Sequence, residues 1–498
     1  MTASAMGSTE LHPPRWLPAP MRWHNTPVTW RESWRLALAL PRRVRERTVL
    51  EYLATELPGQ DDVLVARLPI AKFVLVRSPE LVRQLLVTNQ DGYINGAEFD
   101  LLAIVFGQGL VTQRDNRIHR RNQRLVQPIF ARSAIDQFDA PMVEAAQDSV
   151  RRLWEADEPV DVGAEMIRLS LDIVARTMFG TDPNGPISTI KLEQLLRFFS
   201  FGVVSGASRP LRSLANWVVR HTEEPDKQAA SRLPLRTARA MAWVMGPHIM
   251  FGLRRIEKTV AGMIADHREG RITRTDNLLG LLMAATDPET GHSYSDLEIQ
   301  DELMTFIGTG METTATALTW AWKLLAEHDD VRKRLHDELD TVLGGRLPTA
   351  ADVEKLPWTK AVFMETMRLH PPVMATSKVA LREDVLAGYR IKPGTTVMIS
   401  LHGVHGNPRV WDRAMEFDPT RYLPENMTRP HREASLAFGA GKRICIAQNF
   451  ATMEAVLTMA TVAQRLDLRR TTNDPIRAQL SFIGGPDKPL MMRAVARE

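Results

Sequence analysis

A single cysteine, Cys445, stands in a chain of 498 residues. That one fact removes several ways of holding a fold together. No internal disulfide can form, and neither a multi-cysteine zinc cage nor a four-cysteine iron–sulfur site can be built. A lone thiol points to a reducing compartment, so the expected location is cytoplasmic. The fold must then rest on a buried core. Composition allows one, because 44% of residues are apolar and 24% charged, the balance of an ordinary globular protein. Length alone suggests about three domains, and one large domain remains compatible with it.

The charge balance is nearly even, 63 basic against 59 acidic residues for a net +4. Basic residues cluster at Pro41 to Arg47 and at Arg117 to Arg124. No nucleic-acid motif accompanies them, so a solvated face or a docking patch for an acidic protein is expected, and no nucleic acid. The N-terminus has no apolar signal-peptide core. No apolar run approaches the roughly 20 residues that span a bilayer. The best candidate, residues Ala240 to Leu253, is broken by Gly-Pro-His. The sequence therefore predicts a soluble protein without a transmembrane anchor.

Residues 1–27 are rich in Pro and Trp and read as an irregular arm. "VLVARL" and "KFVLV" read as strands, followed by a helix with Ser78 as N-cap and Pro79 in its first turn. From about 115 to 370 the apolar spacing is helical. Gly202 to Ala238 reads as a loop-rich insertion between helices. Between Val379 and Leu401 the pattern turns to period two, with a type II turn at Pro393-Gly394. A last helix is expected from about Gln448 to Arg465, then a short hairpin near "SFIGGPDKPLMM".

The cysteine sits in "FGAGKRICIAQNF", Phe438 to Phe450. Gly439 and Gly441 permit a tight turn there. Read as an extended loop, the segment would point Arg443 and Cys445 to the same side. A helix then begins, whose N–H groups and dipole would lower a thiol pKa. Such a site suits a catalytic nucleophile, if a histidine base comes from elsewhere, or a metal thiolate, which needs no base. A small buried side chain is the plain alternative.

The pattern Phe438-x-x-Gly441-x-Arg443-x-Cys445 resembles the heme-binding loop of the cytochrome P-450 superfamily of heme-thiolate monooxygenases. Ala447 stands where that family usually has glycine. "ETMR" resembles the family's Glu-x-x-Arg signature, its side chains three apart and so on one helix face. In "FDPTRY", Arg421 matches the arginine that joins Glu365 and Arg368 in a structural triad. "TGMETT", Thr309 to Thr314, lies in a long helical pattern starting near Asp296. Gly308, Gly310 and the threonines here are poor helix formers and predict a local distortion. Phe306, Gly310, Thr313 and Ala317 share one face there. A helix crossing would explain the small residues by itself. The resemblance makes the stretch an oxygen-binding groove, with Glu312 and Thr313 as an acid–alcohol pair, and with Thr309 where Ala or Gly is usual.

The resemblance spans about Asp61 to the C-terminus. It implies a mainly α fold with small β-sheets (α+β), in one domain over 28–498. It implies heme b, iron protoporphyrin IX, between the groove helix and the cysteine-loop helix, with Cys445 as iron ligand. Phe438, Gly441, Arg443, His119 and Lys378 are the implied cofactor contacts; Lys378 replaces a usual arginine, and Gln123 a usual Arg or His. Phe306, Ile307, Gly310, Val373, Met374 and Phe482 are the implied pocket, which suits an apolar organic substrate. The implied reaction inserts one atom of O2, with electrons from a separate donor such as a ferredoxin and its reductase. Competing readings are a peroxide-using or rearranging heme-thiolate enzyme, a heme-binding sensor, and a helical interaction protein without heme.

Overall fold

In the computed structural model the described residues are 63–68, 71–96, 98–180, 247–271, 275–479 and 483–497. The N-terminal arm, the 202–238 segment and Phe482 lie outside them. The elements are mostly helical. Those that position the site are α1 (Glu98–Phe106), α2 (Asn116–Val126), α3 (Asp139–Trp154), α4 (Val162–Val174), α5 (Pro247–Arg268), α6 (Asp296–Glu327), α7 (Asp329–Leu343), α8 (Pro357–Leu369) and α9 (Gln448–Ala463).

The centre is α6, 32 residues and about 48 Å long at 1.5 Å per residue. Its start is fixed by a capping box: Glu298 N–H donates to Ser295 Oγ, and Ser295 N–H to the Glu298 carboxylate. Residues 301–308 and 314–322 of α6 are buried on every side. A helix enclosed all round belongs inside a large core, and α6 packs against α4, α5, α8 and α9. Contrary to the distortion expected from its composition, α6 runs unbroken through Gly308 and Gly310. The glycines serve close approach instead. A β-carbon at Gly308 would lie 2.2 Å from the Phe106 ring, and one at Gly310 would touch Val174 and Met178 at 3.7 and 3.8 Å.

Three small sheets flank the helices. One has the order β1 (Val63–Leu68), β2 (Ala71–Val76), β8 (Thr396–Ser400), β5 (Ala375–Ala380), β3 (Tyr93–Asn95). The two expected strands, β1 and β2, pair with each other, Val63 opposite Val76, and Ser78 caps the following helix as expected by accepting from Leu81 N–H at 3.3 Å. A hairpin joins β6 (Asp384–Leu386) to β7 (Tyr389–Ile391). Gly394 has φ +78°, and Thr395 N–H donates to the Lys392 carbonyl, as the predicted turn requires. The third sheet brings β4 (Val160–Asp161), β10 (Met491–Ala496) and β9 (Leu466–Arg470) together from distant segments. Near the expected closing hairpin the structure shows one antiparallel bridge, Ala478 with Pro486. Among the described residues no helix is long and apolar enough to cross a membrane.

One buried carboxyl lies in the α4–α9 contact. Glu454 is 1% exposed and accepts a 2.9 Å hydrogen bond from Ser170 Oγ. Burial pushes it up to about 8, against that hydrogen bond. A carboxyl raised on folding contributes its stability fully below the ordinary carboxylate range and loses it as pH climbs towards 8. Wild type should therefore lose stability relative to Glu454→Gln as pH rises, by up to roughly 1.4 kcal/mol per pH unit in that window. Paired thermal melts across the window check this; a Tm difference that ignores pH would contradict it.

Candidate active site

The cysteine loop is built by backbone constraint. Gly441 has φ +71°, and a β-carbon there would fall 1.8 Å from the Leu86 carbonyl oxygen. Both facts require glycine. The expected extended loop is instead a 3-10 turn over Gly441–Arg443, because the positive φ of Gly439 and Gly441 coils the chain. Cys445 N–H then donates to the Phe438 carbonyl at 2.8 Å, closing the loop. Phe438 packs half-buried against the main core. Ala447 has φ −93°, which any residue adopts, so the usual glycine is dispensable here.

The thiol of Cys445 is accessible, yet burial pushes its pKa up. Both hold for a side chain open on one side and surrounded by protein on the others. The lowered thiol pKa expected from the helix start is not found. Ala447 N–H donates to the sulfur and favours the thiolate, but burial outweighs it. A thiolate at this position calls for a cation bound directly to the sulfur.

The Glu-x-x-Arg pair is fully enclosed. Arg368 Nε and Nη2 each donate to the Glu365 carboxylate at 2.7 Å, both side chains 0% exposed. Arg368 also donates to the carbonyls of His405 (2.8 Å), Ala414 (2.6 Å) and Glu416 (3.2 Å). Arg421 Nε lies 3.4 Å from Glu365 Oε1, close enough for charge but not aligned for a hydrogen bond. Its Nη2 donates to the Arg413 carbonyl at 3.1 Å.

On α6 the hydroxyl of Thr313 donates to the Thr309 carbonyl at 2.7 Å, and that of Thr309 to the Thr305 carbonyl at 2.8 Å. Glu312 and Thr313 are half-buried in a helix otherwise enclosed at its centre. The pocket expectations divide. Ile307 and Met374 are buried apolar residues and Val373 is half-buried. The ring of Phe306 packs on Phe130 at 5.3 Å, and Phe130 on Phe450 of α9 at 6.2 Å. The open side of Gly310 faces α4, which allows the close crossing of the two helices.

His119, Lys378 and Arg443, far apart in sequence, line one pocket with Asn116 and Gln123. Arg443 donates to the Gln113 carbonyl at 2.6 Å and to Asn116 Oδ1 at 2.9 Å. Lys378 Nζ donates to Asn95 Oδ1 at 2.6 Å. Burial and the Arg443 charge hold Lys378 down to about 8, and burial with both cations holds His119 down to about 3. Burial also lowers Arg443 to about 10, against Asp115. The carboxylates nearby are engaged: Asp91 pairs with Lys442, and Glu98 accepts from Ser377. Buried cations that repel one another suit an anion among them. A metal-seeking thiolate loop and an anion-seeking cluster together fit heme, whose iron and propionates supply both partners.

The cytochrome P450 family model matches residues 60–492. The chain belongs to that family. It is 34% identical over 471 residues to cyclooctatin synthase of Streptomyces melanosporofaciens, covering 94% of this chain and 96% of the relative. It is 32% identical over 424 residues to cyclooctat-9-en-7-ol 5-monooxygenase of the same organism (85% and 86%). To pentalenene oxygenase of Streptomyces avermitilis the identity is 30% over 424 residues (85% and 87%). This family member is a heme-dependent monooxygenase. The family works on a substrate and O2 with electrons from a redox partner.

Sequence reading missed a clamp on the turn after α1. Asp301 accepts from Gln108 N–H at 3.0 Å. Glu302 accepts from Leu110 N–H at 2.9 Å, and from Asn122 and the Tyr294 hydroxyl at 3.2 Å. The only signal was two acids inside an apolar helical pattern.

Two loop variants should separate. Gly441→Ala combines a clash with a disfavoured φ, and should cost about 2 kcal/mol or more together with much of the heme retained. Ala447→Gly should change stability by about 1 kcal/mol at most. Chemical denaturation and heme content of both purified proteins measure this. Equal behaviour of the two would contradict the loop geometry.

Proposed function

We propose that this monooxygenase inserts one oxygen atom into an apolar alicyclic substrate, an alkene or alkenol, using electrons from a separate ferredoxin-type donor. The observation that carries the reading is the pairing of the Cys445 loop with the buried cluster of Arg443, Lys378 and His119. The substrate class is supported by the compounds named in the relatives, which include an alkene and an alkenol. Exposed Arg117 and Arg120 on α2 favour an acidic donor protein. Residues 28–498 are taken as one catalytic domain behind an arm at 1–27.

When bound, heme with a thiolate ligand supplies the oxidising chemistry and favours O–O cleavage. Every other task falls to side chains. Cys445 would hold the iron, and Ala447 N–H would hold electron density on its sulfur. Arg443, Lys378 and His119 would bind the propionates. Glu365, Arg368 and Arg421 hold the loop segments in place. Ile307, Val373 and Met374 would exclude water and orient the substrate. Glu312 would take up protons, and Thr313 Oγ1 would pass them on, its own proton kept on the Thr309 carbonyl at rest.

Turnover of a cyclic alkene or alkenol with a generic ferredoxin and its reductase tests the reading. Incorporation of one labelled oxygen atom from O2 is expected. Peroxide-driven product with no product from O2 would favour the peroxide-using alternative. In the same assay Thr313→Ala should consume electrons at a similar rate while peroxide replaces product. Unchanged coupling would remove Thr313 from proton delivery.

A further inference from the structure

Two of the α6 threonines differ from the rest. Thr305, Thr314, Thr316 and Thr319 are buried, whereas Thr309 and Thr313 are only half-buried. The helix is buried on both sides of this stretch, over 301–308 and 314–322. Positions 309, 310, 312 and 313 are therefore a partly open stretch within an otherwise enclosed helix, and Thr309 and Thr313, four apart, share one face of it. Thr313 already has a role in the reading above. Thr309 has none.

The hydrogen bonding of Thr309 restricts what it can offer. A threonine hydroxyl has one proton and two acceptor lone pairs. That proton is donated to the Thr305 carbonyl at 2.8 Å. A group that meets Thr309 Oγ1 from the open side therefore meets lone pairs. On the same helix face Phe306 is buried and apolar, and Thr313 likewise has its proton donated to a carbonyl. Acceptors fixed in this way favour a ligand that brings an O–H and disfavour one that brings only lone pairs, because an unpaired polar group there keeps its desolvation cost.

We infer that Thr309 is a specificity-determining residue whose Oγ1 accepts a hydrogen bond from a hydroxyl already on the substrate, so that the chain takes an alicyclic alcohol in preference to the ketone of the same skeleton. This rests on the monooxygenase reading and narrows its substrate class. It also places the reaction: an earlier hydroxylation or hydration must install the O–H on the carbocycle. Ketone and alcohol lose similar hydration on binding, so their ratio isolates the donated proton better than comparison with a hydrocarbon.

The test is equilibrium dialysis of the heme-loaded full chain with decahydro-2-naphthol and with 2-decalone. Wild type should bind the alcohol more tightly, on the order of tenfold, the effect of one good hydrogen bond. Thr309→Val, equal in shape, should bring the ratio near one, and Thr309→Ser should keep it. A wild-type ratio near one, or a ratio that survives Thr309→Val, overturns the inference. The carbon-monoxide spectrum of each reduced protein shows whether the thiolate site is intact. A wild type without the strongly red-shifted band would count against the monooxygenase reading itself.

Discussion

The enclosed ion pair of Glu365 and Arg368 is the contact on which the site's geometry depends. A buried pair adds little net stability, since desolvation cancels much of its attraction. Its role is to fix positions. Arg368 binds the carbonyls of His405, Ala414 and Glu416, and so pins a long irregular stretch that has few ladder bonds of its own. His405 carries the constraint onward, because its Nε2 accepts from Leu436 N–H at 3.0 Å. Two residues later the Phe438 carbonyl accepts from Cys445 N–H. A series of hydrogen bonds, linked by short lengths of chain, thus runs from α8 to the backbone of Cys445. Leaving either ion without its partner would cost about 3–5 kcal/mol and release the far end of this chain of contacts.

Electrostatics explain why the site suits one kind of cofactor. Protein atoms alone raise the Cys445 thiol, and burial with mutual repulsion lowers Lys378 and His119. Each shift is reversed by a partner of opposite charge: a metal cation at the sulfur, carboxylates at the cluster. Heme carries both on one rigid plate. Lysine at 378 keeps the charge but not the arginine fork, and Asn95 supplies its fixed hydrogen bond instead.

Much of this was legible in the chain because it is written locally. The cysteine motif, the Glu-x-x-Arg turn of α8 and the start of α6 near Asp296 each depend on residues within one or two turns. What was not legible depends on distant partners. Gly308 and Gly310 looked like helix weaknesses, and only Phe106, Val174 and Met178 explain them. Asn95 meets Lys378 across a strand pair. The three-stranded sheet joins segments more than three hundred residues apart, which no spacing rule anticipates. The extended reading of the cysteine loop failed because a positive φ at two glycines has a larger effect than alternation. The aromatic row of Phe306, Phe130 and Phe450 likewise joins three distant segments.

The central claim is that Cys445 holds a heme iron as thiolate. It is tested most directly by the absorption spectrum of the dithionite-reduced, heme-supplemented protein with carbon monoxide, for wild type and Cys445→Ser. The account predicts a strongly red-shifted Soret band in wild type that the serine variant loses. A histidine-like band in wild type, an unaltered band in the variant, or a folded protein that takes up no heme would contradict it.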